Sequence, residues 1–168
     1  MTTSTPRAPG PAAPAAIPAD PAVLHANLAI IARRDPALAA SITAATAHPD
    51  LICTRAPDGA ITATLAGRAL GSQRGPLDEA NRLADTITLE TTGGIILLGF
   101  ALGHHAAELA RRAHKECALI IFEPDIPLLR AVLERIDHSA WLANTAWAFA
   151  SNPDDAVALT HALKGLEA

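Results

Sequence analysis

Two short apolar runs, separated by a glycine-rich turn and a helix-sized segment, most constrain the fold of this 168-residue chain. The first run, residues 95–98, ends at Gly99, and the second, residues 118–122, ends at Glu123. Apolar strands that alternate with helices are typical of a parallel sheet. The pattern predicts a βαβ unit of the nucleotide-binding type, with Gly99 and Glu123 at the carboxyl ends of neighbouring strands, where such units bind their ligands.

The same alternation continues toward the end of the chain and predicts a Rossmann-like βαβαβα unit over residues 93–168. The predicted strands cover residues 95–99, 118–123 and 145–150, and the predicted helices cover residues 103–114, 125–136 and 153–166. The predicted fold class is therefore α/β: a Rossmann-like parallel sheet with helices on both faces, preceded by a small α+β subdomain that contains a β-hairpin.

Residues 22–92 are predicted to form N-terminal helices, a hairpin and a linking helix. Asp35 and Pro36 separate two helical stretches, because a proline is tolerated only at the start of a helix. The predicted helices cover residues 21–33 and 35–48, the hairpin strands residues 51–55 and 60–65 around a Pro-Asp-Gly turn, and a short segment residues 68–70. The linking helix begins at Pro76, with Leu83 and Ile87 predicted to face inward. Residues 1–21 are predicted to be a disordered tail rich in proline and alanine.

Charge and composition exclude several classes of function. The net charge of −4 and the scattered basic residues predict no nucleic-acid partner. No apolar stretch approaches the roughly 20 residues that a membrane span needs, and the N-terminus lacks the features of a signal peptide, so a cytoplasmic protein without a membrane partner is expected. Cys53 and Cys117 are far apart in the sequence and are predicted to be two buried thiols.

The candidate ligand-binding residues all fall at the predicted carboxyl edge of the sheet. They are Gly99, Ala101, Gly103, His104, His105 and Glu123. A dinucleotide fingerprint has a glycine in the middle of its turn, where the backbone approaches phosphate, and here Ala101 stands in that place. Two interpretations therefore stay open: a site for a nucleotide-type ligand, with no particular cofactor assigned, or a tight turn that binds nothing.

The polar residues near this edge each have two interpretations. Glu123 is expected to accept hydrogen bonds from ribose hydroxyls or to be a helix-capping carboxylate, and Asp125 is expected to cap the next helix. One of His104 and His105 is expected to donate a hydrogen bond to a ligand, and exposure to solvent is the alternative. No metal site is predicted, because adjacent side chains on a helix diverge by about 100°.

A second set of polar residues, at positions 137–139, reads Asp-His-Ser. We predict that this segment is a turn that ends a helix and not a catalytic triad, since no nucleophile elbow is present. Trp141 and Trp147 are expected to pack in the core.

Four segments of the chain together resemble one known family. In chain order they are Leu70-Gly71-Ser72 with Pro76 and Glu79-Ala80; the run from Leu97 to His105; Phe122-Glu123-Pro124-Asp125; and Leu133-Glu134 with Asp137 and Trp141-Leu142. They are similar to the N-terminal domain of the motility accessory factor (Maf) glycosyltransferases of bacterial flagellin, whose central domain is related to MptE-like 6-hydroxymethylpterin diphosphokinases. The match begins near Val23. Ala101 and His104 depart from the family pattern, which has a glycine and an aromatic residue at these places.

The resemblance implies a role in the modification of flagellin. In the family, the transfer of a nonulosonic acid from a CMP-sugar to flagellin Ser or Thr is attributed to the central domain. The resemblance therefore implies that this chain is an N-terminal accessory domain, a fragment that lacks the catalytic domain, with flagellin or the downstream catalytic domain as partner. It assigns no catalytic residues. The alternatives are an S-adenosylmethionine-dependent methyltransferase-like domain and a ligand-free Rossmann-like interaction module.

Overall fold

The computed structural model describes residues 14–152 and residue 160 of the chain. Within this part, the elements in chain order are α1 (Pro21–Arg34), α2 (Pro36–Ala44), β1 (Leu51–Arg55), β2 (Ile61–Leu65), β3 (Arg68–Ala69), α3 (Pro76–Ala84), β4 (Gly94–Leu98), α4 (His104–Arg112), β5 (Ala118–Phe122), α5 (Ile126–Leu133), α6 (Ser139–Asn144) and β6 (Ala146–Ala150). The helix predicted over residues 153–166 lies outside the described residues except at residue 160.

β4, β5 and β6 form a parallel sheet in that order. In its register Ile95 lies beside Leu119, and Leu119 lies beside Trp147. These three side chains are buried in the main core, together with Ile121 and Phe149. The prediction of an α/β fold with a parallel sheet flanked by helices is confirmed. Both crossovers run in the same direction across the sheet, and because such crossovers are right-handed, their helices belong on the same face.

The second face of the parallel sheet is not evenly covered. Side chains alternate between the faces of a strand, so Ile96 and Leu98 point away from the main core. Ile96 is 66% exposed and Leu98 is 83% exposed, whereas Ile120 and Phe122 are half-buried and Ala148 is buried. The sequence predicted helices on both faces. The sheet is flanked by helices, and within residues 14–152 its second face is open at β4, while the helix predicted over residues 153–166 lies outside the described residues except at residue 160.

β1, β2 and β3 form a separate antiparallel sheet, with Cys53 beside Ala63. The predicted hairpin is confirmed. Its turn is closed by the Asp58 carboxylate, which accepts a hydrogen bond of 3.0 Å from the Ala60 N–H, and Gly59 adopts a φ of 86°. Cys53 and Cys117 are free and buried, as expected, and burial raises the pKa of both thiols.

The N-terminal helices pack on the helices of the parallel sheet, α1 against α5 and α6 and α2 against α5. Residues 14–20, which the sequence assigned to a disordered tail, are hydrogen-bonded to the rest of the fold. The Ile17 N–H donates to the Cys53 carbonyl and the Asp20 N–H donates to the Glu134 carbonyl, each at 2.7 Å. Composition does not reveal these bonds, because they are made by backbone groups.

α3 packs closely on α4, and its inward face differs from the prediction. Ala80 and Ala84 are buried, whereas Leu83 is exposed and Ile87 is partly buried against the core. Small alanine side chains let the two helices approach each other, so the leucine faces solvent. The described residues share a hydrophobic core that draws on both sides of position 92, and the division there into two parts stays a prediction.

Candidate functional site

The turn after β4 contains three residues with positive φ. Gly99 has a φ of 93°, Ala101 of 48° and Gly103 of 74°. An alanine in this left-handed region costs about 1 kcal/mol relative to ordinary conformations. The turn is closed by a hydrogen bond of 2.8 Å from the Gly103 N–H to the Phe100 carbonyl, and α4 begins directly after it.

The structure places Gly99 and Glu123 at the same edge of the sheet, as the sequence predicts. Leu98 and Phe122 are paired in the register of β4 and β5, and the Gly99 N–H donates to the Phe122 carbonyl at 2.8 Å. The strand β6 ends beside them, because the Glu123 N–H donates to the Ala150 carbonyl at 2.9 Å. The carboxyl ends of all three strands therefore meet at this edge.

The Glu123 carboxylate is held by the protein backbone on both of its oxygens. Oε2 accepts a hydrogen bond of 2.8 Å from the Phe100 N–H, and Oε1 accepts one of 2.9 Å from the Asp125 N–H. The residue is only 5% exposed. A buried carboxylate needs hydrogen-bond donors, and here the glycine turn and the start of α5 supply them. Ligand binding by Glu123 stays a prediction, whereas its contact with the glycine turn is a feature of the fold.

The two histidines after the turn have different surroundings. His104 Nε2 lies 2.7 Å from the Ile61 carbonyl oxygen, so this nitrogen carries the proton and donates to β2. The bond ties the glycine turn to the hairpin sheet. His105 and Ala101 are half-buried. Asp125 accepts a hydrogen bond of 2.9 Å from the Leu128 N–H, which confirms that it caps α5.

Gly103 is required by packing as well as by its backbone conformation. A Cβ at this position would lie 2.5 Å from His138 Cε1 and 2.5 Å from Phe100 Cζ. Both neighbours are rings in the buried core, which cannot swing aside as the end of a flexible side chain can. Among the glycine roles in nucleotide-binding turns, this is the packing role and not the approach to phosphate.

The sequence analysis missed the importance of His138, which it placed in a simple turn. The residue is 3% exposed. Its N–H donates to Asn27 Oδ1 at 2.8 Å, its Nδ1 accepts from Trp141 Nε1 at 3.1 Å, and its ring meets that of Phe100 edge to face at 5.2 Å. The i, i+3 spacing of His138 and Trp141 was the available signal, and it could be interpreted only with α6 (Ser139–Asn144) in place.

The pKa of His138 is lowered from 6.5 to about 4, chiefly by burial and in part by the nearby His104. The Leu102 backbone and the Asp137 carboxylate act in the opposite direction but are weaker. Because Trp141 donates to Nδ1, the neutral ring carries its proton on Nε2, and this atom has no hydrogen-bond partner of good geometry. The ring is therefore neutral in the folded protein near pH 7.

Asn27 completes this junction from α1. Its side-chain amide donates to the Leu133 carbonyl at 3.0 Å and to the Ile136 carbonyl at 2.8 Å, while its oxygen accepts from the His138 N–H. Asn27 is fully buried, so all three bonds are protected from water. The carboxyl edge and the helices behind it thus form a packed junction, in which Glu123, Asn27 and Trp141 make their hydrogen bonds within the protein.

The described part of the chain offers neither of two common functional features. No three of its His, Cys, Asp and Glu side chains lie close enough together to hold a metal ion. None of the helices within residues 14–152 combines the length and apolar character that a membrane-spanning helix requires.

Among solved structures, the chain is similar to that of a Maf glycosyltransferase from Magnetospirillum magneticum AMB-1, with a TM-score of 0.54 and 14% sequence identity. The similarity covers 79% of this chain and 28% of that protein. No family model matches the sequence, and no curated protein matches it. The resemblance predicted from the sequence is confirmed at the level of the fold: this chain has the fold of about a quarter of a Maf glycosyltransferase.

Replacing Glu123 tests its structural role. We expect Glu123→Ala to lower the free energy of unfolding by about 3 kcal/mol, because two buried N–H groups lose their acceptor. Glu123→Gln keeps one acceptor oxygen and should lose less. Urea denaturation measures both, with the exposed Glu116→Ala as the control. A Glu123→Ala protein as stable as the control would contradict this role and favour a ligand-binding one.

Gly103 and Gly99 form a matched pair, since both have positive φ but only Gly103 is crowded. Gly103→Ala should destabilise the protein by about 3 kcal/mol or more, through strain and overpacking together. Gly99→Ala should cost about 1–2 kcal/mol, from backbone strain alone. Equal losses in thermal or chemical denaturation would show that the contact with His138 and Phe100 does not restrict position 103.

The lowered pKa of His138 makes stability depend on pH. In the unfolded chain His138 binds a proton near pH 6.5, whereas in the folded chain it does so only near pH 4. The free energy of unfolding therefore falls as the pH decreases through this window. The full loss, about 3 kcal/mol, is present below pH 4 and absent above pH 6.5. Between pH 7 and 4.5, urea denaturation should show a steeper loss for the wild type than for His138→Gln. The exposed His25→Gln should retain the wild-type slope; identical slopes for all three proteins would refute the assignment.

Proposed function

We propose that this chain is the N-terminal accessory domain of a Maf-type glycosyltransferase that modifies flagellin. The parent enzyme would transfer a nonulosonic acid from a CMP-sugar to Ser or Thr of flagellin, and another part of that enzyme would carry the catalytic centre. The fold similarity to a Maf glycosyltransferase supports the proposal, as does the chain's coverage of only 28% of that protein. Four sequence segments resemble the family's N-terminal domain, in family order, and support an N-terminal position in the parent enzyme.

The hydrogen bonds at the carboxyl edge of the parallel sheet are the main support for an accessory role. In nucleotide-binding βαβ units, the acidic residue at the end of the second strand receives the ribose hydroxyls. Here both oxygens of Glu123 bind backbone N–H groups and the residue is buried. The same contacts weigh against the methyltransferase-like alternative, which needs Glu123 for the ribose of S-adenosylmethionine. The domain would then act in the cytoplasm, by supporting the catalytic domain or by helping to recognise flagellin.

A genetic experiment tests the role in flagellin modification. The gene that encodes this chain is deleted in the source organism, and the intact mass of flagellin is measured by mass spectrometry. We expect the mass of the nonulosonic acid to be lost at each modified site and restored by the complete gene. A gene segment that encodes only residues 14–152 should not restore it. An unchanged flagellin mass after deletion would contradict the proposal, and restoration by the segment alone would contradict its accessory nature.

Calorimetric titration tests whether the carboxyl edge of the parallel sheet binds a nucleotide. The purified chain is titrated with CMP and, separately, with S-adenosylmethionine. We expect no saturable heat from either compound, because the ribose acceptor is occupied. Micromolar binding of S-adenosylmethionine would favour the methyltransferase-like alternative, and micromolar binding of CMP would show that the edge accepts a nucleotide.

A further inference from the structure

The free edge of β4 lacks the features that usually protect an edge strand. Within the described residues β4 pairs only with β5, so its other edge presents backbone N–H and C=O groups that no strand of this sheet uses. Residues 93–102 contain no charged side chain and no proline. Native proteins usually protect such edges with lysine, proline, bulges or a covering element.

The outward face of the same strand carries the two most exposed large hydrophobic side chains of the described residues. Leu98 is 83% exposed and Ile96 is 66% exposed, whereas the next, Ile52 on β1, is 53% exposed. Ile96 and Leu98 lie two residues apart on a strand and therefore share one face. An apolar surface next to an unprotected edge is typical of a place where another strand binds.

We propose that β4 pairs with β4 of a second copy of this chain. Two copies related by a two-fold axis through Ile96 would place β4 antiparallel to its own copy, with Ile96 opposite Ile96 and Gly94 opposite Leu98. The two parallel sheets would join into one sheet of six strands.

The side chains of β4 fit together in this arrangement. Residues that lie opposite each other in an antiparallel pair point to the same face, so Ile96 and Leu98 of both copies lie on one face of the joined sheet. The large Leu98 side chain faces Gly94, which is exposed and has no side chain to compete for the space. Residues 93–102 contain no charged side chain, so this pairing brings no like charges together.

The contact is short, so we expect weak association that is seen only at high protein concentration. Sedimentation velocity at concentrations from roughly 1 to 500 μM covers the range of such weak contacts. The average mass of the wild-type chain should rise from 17.3 kDa toward twice that value. Ile96→Lys should remain monomeric, because residue 96 faces its own copy and the change places two like charges directly opposite each other, on a side chain that is otherwise exposed. Ile52→Lys, an exposed aliphatic residue on the other sheet, should associate as the wild type does.

Three results would overturn the proposal. They are a wild-type chain that stays monomeric over the whole range, an Ile96→Lys variant that associates as the wild type does, and an Ile52→Lys variant that loses association to the same degree. Circular dichroism of each variant verifies that it is folded before its mass is interpreted.

Cross-linking tests the register. The native thiols of Cys53 and Cys117 are buried, so a cysteine introduced on β4 is the accessible thiol. With oxidised glutathione, Ile96→Cys should form a disulfide-linked dimer, because residue 96 faces itself. Leu98→Cys should not, since the two copies of residue 98 are about 14 Å apart along the strands and a disulfide spans at most about 7 Å between Cα atoms. Equal yields from both variants, or no dimer from Ile96→Cys, would contradict pairing about Ile96.

Discussion

The buried carboxylate of Glu123 fixes the carboxyl edge of the parallel sheet. Its two oxygens accept hydrogen bonds from the Phe100 N–H, in the turn that leaves β4, and the Asp125 N–H, in the segment that leaves β5. One side chain therefore sets the direction of both segments that connect strands to helices. In nucleotide-binding relatives of this fold a ligand occupies the corresponding edge, and here the protein's own backbone takes the place of the ligand's hydroxyl groups.

A second junction joins this edge to the N-terminal helices. Gly103 allows the ring of His138 to approach the turn, and Asn27 binds the backbone of His138 and of the segment that follows α5. The Asn27 side chain is buried, so the loss of its hydrogen bonds leaves polar groups unsatisfied inside the protein. These contacts explain why the core extends across the boundary that the sequence suggested near residue 92.

The sequence predicted the parallel sheet, the hairpin, the capping role of Asp125 and the meeting of Gly99 with Glu123, because each depends on local pattern or on strand order. It did not predict that Leu83 would face solvent, since the close approach of α3 and α4 selects alanine for their contact. It also could not assign Glu123 to the backbone or His138 to the core. A carboxylate after a strand has the same sequence signature whether its partner is a ribose or an N–H group, and the burial of His138 depends on residues far away in the chain.

Hydrogen exchange at the Phe100 amide tests the central claim most directly. If the Glu123 carboxylate holds the turn closed, this N–H should exchange as slowly as the amides of β5, although it belongs to a glycine-rich loop, and the same amide should exchange much faster in Glu123→Ala under conditions where that variant is folded. An amide at position 100 that exchanges in the wild type at the rate of an open loop would contradict the account.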